Sequence, residues 1–246
     1  MKYASSPTSI QSSCVFCGSL LITKTWSETF FKLSSVRLAF LYWFFQLKIK
    51  GTIFVLFFII FYFFFYLVVA KYCASTFNNN KTRSIIKDVS KLGIATFYLS
   101  FAALCFLFFR FIKQRKVWSN RALLVFLSIS LSGILVVIVK YIFGRYRPKM
   151  FLKEQLYGFQ FLQLKGKLTS FPSGHASTIV ALMLVLYFIS PKYKVIYFAI
   201  AFVIVISRVL VCHHYLTDVV FGSYIAVVTT VCLKHLLEKY GLPIQD

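Results

Sequence analysis

ALLVFLSISLSGILVVIV, residues 122–139, decides the fold. The run is uncharged and ends on Lys140. At ~1.5 Å per helical residue it covers most of the ~30 Å hydrocarbon layer of a bilayer. Two similar runs precede it, Thr52–Ala70 and Leu92–Phe109, and three shorter ones follow, Ala176–Ser190, Val195–Ser207 and Val219–Leu233. The shorter three reach spanning length only by taking in polar residues such as His175, Arg208 or Asp218. Polar groups at membrane depth are costly and mark function. The pattern predicts an all-α integral membrane protein, a six-transmembrane-helix bundle over residues 49–240. Ahead of it, residues 1–32 read as a disordered or loosely attached leader. Residues 33–48 read as an interfacial amphipathic N-terminal helix, because aromatic-rich Leu38–Leu47 lies between Arg37 and Lys48.

Composition excludes most other classes. Of 246 residues, 59% are hydrophobic, 20% aromatic and only 14% charged, which leaves too little polar surface to coat a soluble globule. Lys and Arg number 28 against 6 Asp and Glu, a net charge of +22. The cations sit between apolar runs and form no polar face, so the expected partners are the membrane surface and an anionic substrate, with no nucleic acid. Glu28, Asp88, Glu154, Asp218, Glu238 and Asp246 are too few carboxylates for a two-metal hydrolase. No metal site and no cofactor are expected. Cys14 and Cys17 form a lone CxxC, a weak zinc or redox signal without a second pair. Arg110, Lys113, Arg115, Lys116 and Arg121 favour a cytoplasmic position for the connection they occupy. Lys71, Lys81, Arg83, Lys87 and Lys91 oppose that orientation from the other side.

Three clusters fall at the ends of the predicted spans. Lys140 and Arg147 lie seven positions apart, about two helical turns, so both cations can point to one side. Phe171-Pro172-Ser173-Gly174-His175 opens the fourth apolar run, offering helix-start amides to an anion. Ser207-Arg208 is followed by His214 and Asp218, an i,i+4 pair that can meet on one helical face. On the six-span count all three emerge on one side of the membrane. Taken singly, Lys140 reads as a snorkelling interfacial lysine, Pro172-Ser173-Gly174 as a turn into an N-cap, and Ser207-Arg208 as a helix end. Together they supply cations, a nucleophile and an acid, the parts that phosphoryl transfer needs. His213 reads as a lining residue and His235 as an interfacial one. Arg145 and Lys149 read either as headgroup contacts or as solvated-loop residues.

In these motifs the chain resembles the type-2 phosphatidic acid phosphatase superfamily, whose signature is Lys, six residues, Arg-Pro; Pro-Ser-Gly-His; and Ser-Arg, five residues, His, three residues, Asp. Every fixed position is present between residues 140 and 218. The resemblance implies a lipid phosphatase in which His214 is the nucleophile, forming a phosphohistidine. Asp218 would hold its tautomer, and His175 would be the general acid. Lys140, Arg147, Ser173, Gly174 and Arg208 would bind the phosphate, without metal or cofactor. It implies a lipid phosphate substrate: phosphatidylglycerophosphate, phosphatidic acid, undecaprenyl pyrophosphate or lipid A phosphate. A bacterial inner membrane with the site facing the periplasm is the expected location. Vanadate-dependent haloperoxidases share such a pocket but are soluble, against the apolar runs. A lipid-binding or lipid-transport protein carrying a dead site is the rival from another class. Oligomeric state is not legible.

Overall fold

The computed structural model describes residues 68–73, 75–76, 80–162 and 166–245. The leader, the interfacial helix and nearly all of the first expected span, Thr52–Ala70, lie outside the described residues. Seven helices are named here: α1 (Asn80–Lys91), α2 (Ala95–Leu107, running into a π turn at Phe108–Ile112), α3 (Lys116–Ile142), α4 (Pro148–Glu154), α5 (Gly174–Ile189), α6 (Lys194–Leu210) and α7 (Leu216–Lys239). A two-stranded ribbon joins them, β1 (Phe143–Arg145) antiparallel to β2 (Phe159–Phe161), with Arg145 opposite Phe159.

This is a multi-pass membrane protein, but the expectation of six spanning helices is corrected. Among the described residues four helical stretches are long and apolar enough to cross: Lys81–Ile112, Lys116–Ile142, Pro191–Leu210 and Leu216–Lys239. The run expected as the fourth span folds instead as the 16-residue α5. At ~1.5 Å per residue it is shorter than the hydrocarbon layer. Its limits are local: Ser173 caps its start, accepting from the Ala176 amide, and Pro191 disfavours helical backbone at Ser190.

Shortness suits the position of α5, because it is the central helix. It packs against α3, α6 and α7, while α2 packs on α3 and α1 lies along α6. Ala176, Ile179, Ala181 and Val185 of α5 are fully buried. Small and hydroxylated residues, among them Ser128 and Ser132 of α3 and Ala226 and Thr230 of α7, let the helices approach closely. The outward faces carry Phe97, Phe101 and Leu104 on α2 and Val195 and Phe202 on α6, all more than half exposed. An apolar surface of that kind belongs against lipid tails.

Candidate active site

The three motifs meet at one end of the bundle because four helix ends converge there. α3 delivers Lys140 in its last turn, α5 starts just after Ser173, α6 ends two residues after Arg208, and α7 starts just after His214 and Tyr215. A tight connection holds the third motif together. Cys212 takes a left-handed φ of +56°. The amides of His213 and His214 fold back to donate to the Arg208 carbonyl at 3.1 and 3.3 Å. The Cys212 amide donates to Val209, so the α6 carbonyls are satisfied by the loop that carries the histidines.

The second motif is fixed across the bundle. The Ser173 amide donates to the Asp218 carbonyl at 2.9 Å. Gly222, one turn along α7, makes this approach possible: a Cβ there would stand 2.4 Å from the Ser173 carbonyl oxygen. The Ser173 amide is therefore engaged, and the amides of Gly174 and His175 are those presented at the start of α5.

Two residues just upstream, Thr169 and Ser170, gather the rest. The Thr169 carbonyl accepts from Lys140 Nζ at 3.0 Å, and its hydroxyl accepts from Arg147 Nη2 at 2.9 Å. The Nε groups of Arg147 and Arg208 are buried with no hydrogen-bond partner among the described residues. Such donors suit an anion with several oxygens.

His214 is 3% exposed. Its Nδ1 lies 2.6 Å from the Ser170 carbonyl oxygen and 3.9 Å from Asp218 Oδ2. A carbonyl can only accept, so Nδ1 carries the proton and Nε2 keeps its lone pair. Ser170, not Asp218, makes the hydrogen bond that selects this tautomer. Asp218 is fully buried, and its Oδ2 accepts from the Ser170 hydroxyl at 2.5 Å and from the Tyr215 amide at 2.8 Å. The carboxylate thus reaches the imidazole through the residue whose carbonyl binds it. Burial, reinforced by Lys140 and Arg208, holds His214 well below the ordinary imidazole range, and the Ser170 bond only partly opposes this. His213, beside Arg208 and Lys149, is pushed down to about 3, chiefly by burial. Its Nδ1 is buried without a partner among the described residues.

Arg145 is neither a headgroup contact nor a solvated-loop residue. It is 1% exposed and its Nη1 donates to Asp218 Oδ1 at 2.5 Å and to Thr217 Oγ1 at 2.8 Å. Its guanidinium lies 4.1 Å from the Tyr215 ring centroid and 5.5 Å from that of Phe159. The ribbon turns Arg145 inward, and the Ser170 amide donates to its carbonyl at 3.1 Å. Thr169, Ser170, Arg145 and Gly222 are the positions the motif reading missed or misplaced. A buried Asp218 requires a counter-charge, and that was the one signal that could have singled out Arg145. Among the described residues no three His, Cys, Asp or Glu side chains gather as metal ligands.

Residues 121–241, the segment that carries all of this geometry from α3 onward, match the family model of the PAP2 superfamily. Over that segment the chain is similar to the PAP2 superfamily. Similar proteins include the lipid A 1-phosphatases of Rhizobium johnstonii and Rhizobium etli. Each is 31% identical over 111 residues, 44% of this chain and 46% and 48% of theirs. The chain spans about half the length of these relatives. Two crystal structures share the fold. LpxE of Aquifex aeolicus is 23% identical with a TM-score of 0.50, covering 69% of this chain and 94% of that one. The first transmembrane PAP2 type phosphatidylglycerolphosphate phosphatase from Bacillus subtilis is 21% identical with a TM-score of 0.51, covering 70% and 84%.

Proposed function

We propose that this protein is a membrane lipid phosphatase that works through a phosphohistidine. The observation that carries the reading is the 2.6 Å contact between His214 Nδ1 and the Ser170 carbonyl. It leaves Nε2 unprotonated at the floor of a cluster of cations. In the proposed reaction Nε2 attacks phosphorus and the P–O bond to the lipid breaks. His175 gives its proton to the departing oxygen. Lys140, Arg147, Arg208 and the Gly174 and His175 amides hold the phosphoryl oxygens as charge shifts among them. Water then attacks the phosphohistidine while His175 takes its proton, which returns His214 and releases phosphate. Asp218 supports the cationic imidazole through Ser170 and at 3.9 Å through space.

The substrate class follows from the membrane and the clamp: a phosphate ester on a lipid, its acyl chains entering between helices. The names of the Rhizobium relatives, lipid A 1-phosphatases, support lipid A phosphate among the four candidate lipids. The basic stretch Arg110–Arg121 lies at the opposite end of α3 from Lys140, which supports a site facing away from the cytoplasm. A bacterial inner membrane, with the site on the periplasmic side, fits this orientation. A reporter inserted at Gln114 is expected to read cytoplasmic and one at Gln160 external, and the reverse would turn the site inward.

The deciding assay is phosphate release by purified protein from the four lipids, with and without EDTA and vanadate. Release that survives EDTA, is blocked by vanadate and is abolished in His214→Ala is the expected outcome. Binding of lipid with no release would sink the enzyme reading and leave a lipid-binding protein. Loss to chelator with recovery by magnesium would overturn the metal-free mechanism.

A further inference from the structure

Two contacts to the candidate site come from outside residues 121–241, at the corner between α1 and α2. Ser90, 1% exposed at the end of α1, accepts a hydrogen bond from Nη1 of Arg208. Gly93, in the turn that follows, lies against His175. A Cβ built on it would stand 2.9 Å from His175 Cβ, 3.1 Å from Cδ2 and 3.2 Å from Cγ. The atom met first is the root of the His175 side chain, so the ring cannot swing aside without moving α5 or the corner. The corner itself is pinned. The Gly93 and Ile94 amides donate to Ser90 and Lys91 carbonyls at 3.2 and 3.0 Å, and Tyr98 Oη donates to the Leu92 carbonyl at 2.6 Å.

We propose that the α1–α2 corner is a wall of the active site, with Ser90 positioning the Arg208 guanidinium and Gly93 seating the His175 ring. Ser90 occupies one edge of a planar fork, which fixes where the remaining N–H groups of Arg208 point. Gly93 allows the corner backbone to close on His175 where any side chain would hold it off. In this arrangement neither residue is a phosphate ligand. Both act through a residue that is one, where a displacement of about 1 Å can cost about 10²-fold in rate.

The proposal rests on His175 as general acid and Arg208 as part of the clamp, so the experiment separates the two layers. Purified full-length Gly93→Ala, Ser90→Ala, His175→Ala and Arg208→Ala are assayed on an alkyl lipid phosphate and on p-nitrophenyl phosphate. Vanadate inhibition and thermal unfolding in detergent are measured alongside. The aryl leaving group hardly needs a proton, so His175→Ala should lose far more on the alkyl substrate, and Gly93→Ala should show the same bias in weaker form, about tenfold. Ser90→Ala should weaken vanadate by about tenfold, with no further loss when added to Arg208→Ala. If His175→Ala is biased and Gly93→Ala loses equally on both substrates, the seating role is overturned. If His175→Ala itself is unbiased, the general-acid reading fails and the corner stands or falls on Ser90. Unchanged vanadate affinity in Ser90→Ala, or additivity with Arg208→Ala, then overturns it. The Ser90 arm also decides the matter should Gly93→Ala not fold.

Discussion

The two ends of α3 each sit beside a buried arginine, and the two are used for opposite purposes. At the start of the helix Arg121, 8% exposed, donates Nε to the Ile244 carbonyl at 2.8 Å and lies 4.7 Å from the Trp118 ring centroid. Asn120 holds the adjacent Pro243 carbonyl at 3.1 Å. Beyond the other end Arg145 pairs with a carboxylate, Asp218, that is itself fully buried. One guanidinium ties Ile244 to the bundle through a backbone carbonyl. The other neutralises a charge that the proposed chemistry needs inside. Burying an ion pair is a poor way to gain stability, because desolvation offsets most of the attraction. A pair held at that cost beside His214 therefore points to function, whereas a hydrogen bond from arginine to a backbone carbonyl needs no reason beyond folding.

Breaking the pair is the largest effect expected. Arg145→Ala strands Asp218 in the interior and should cost about 3–5 kcal/mol of unfolding free energy. Adding Asp218→Asn removes the stranded charge, so the double variant should recover part of the stability and none of the activity. Unfolding in detergent, followed beside phosphate release, reads both. Recovery of turnover in the double variant would mean that the pair serves only the fold.

Next comes the packing that aligns the second motif with the third. Gly222→Ala places a methyl group against the Ser173 backbone, where overpacking typically costs about 1–3 kcal/mol. It should also lower turnover by about 10²-fold, since the Gly174 and His175 amides move with Ser173. The matching change at the far end is Arg121→Ala. It leaves a buried carbonyl unpaired and should cost about 1–3 kcal/mol, while kcat/KM per folded molecule stays at the wild-type value. A fall in kcat/KM there would erase the distinction between the two ends.

The sequence shows this difference at one end better than at the other. Lys140, Arg147, His175, Arg208, His214 and Asp218 were legible because their spacing puts charge at the ends of apolar runs. The structure does bring those ends together. Arg145 was not legible, because its inward turn depends on pairing between Arg145 and Phe159 across a loop. Ser90, Gly93 and Gly222 act by contact across helices, and a serine or glycine in a helical sequence carries no sign of what it faces. The helix count failed for a related reason. Hydropathy reads the run around Ala176–Ser190 as membrane length, while the Ser173 cap and Pro191 stop the helix at 16 residues. Burial among three other helices lets so short a helix stand.

The smallest effect concerns protons, and it tests whether the site end owes its chemistry to charge. His214 must be neutral at Nε2 to attack, and its pKa is depressed by burial and by Lys140 and Arg208. The neutral form is therefore kept from neutral pH down past the ordinary imidazole value of ~6.5, and activity is lost only as pH falls through the lowered pKa. Removing one cation weakens the depression, so the acid limb of kcat/KM should move upward in Lys140→Gln. The phosphate ester has its own ionisation near ~6, but it is common to both proteins and cancels in the ratio of their profiles. That ratio should stay flat at neutral pH and fall only as the pH drops below ~6.5 toward the lowered pKa. Arg121→Gln, at the other end of the same helix, should give a flat ratio. A flat ratio for Lys140→Gln would mean that the cations around His214 bind the substrate without tuning the nucleophile, and the two ends would then differ in what they hold but not in how they set a proton.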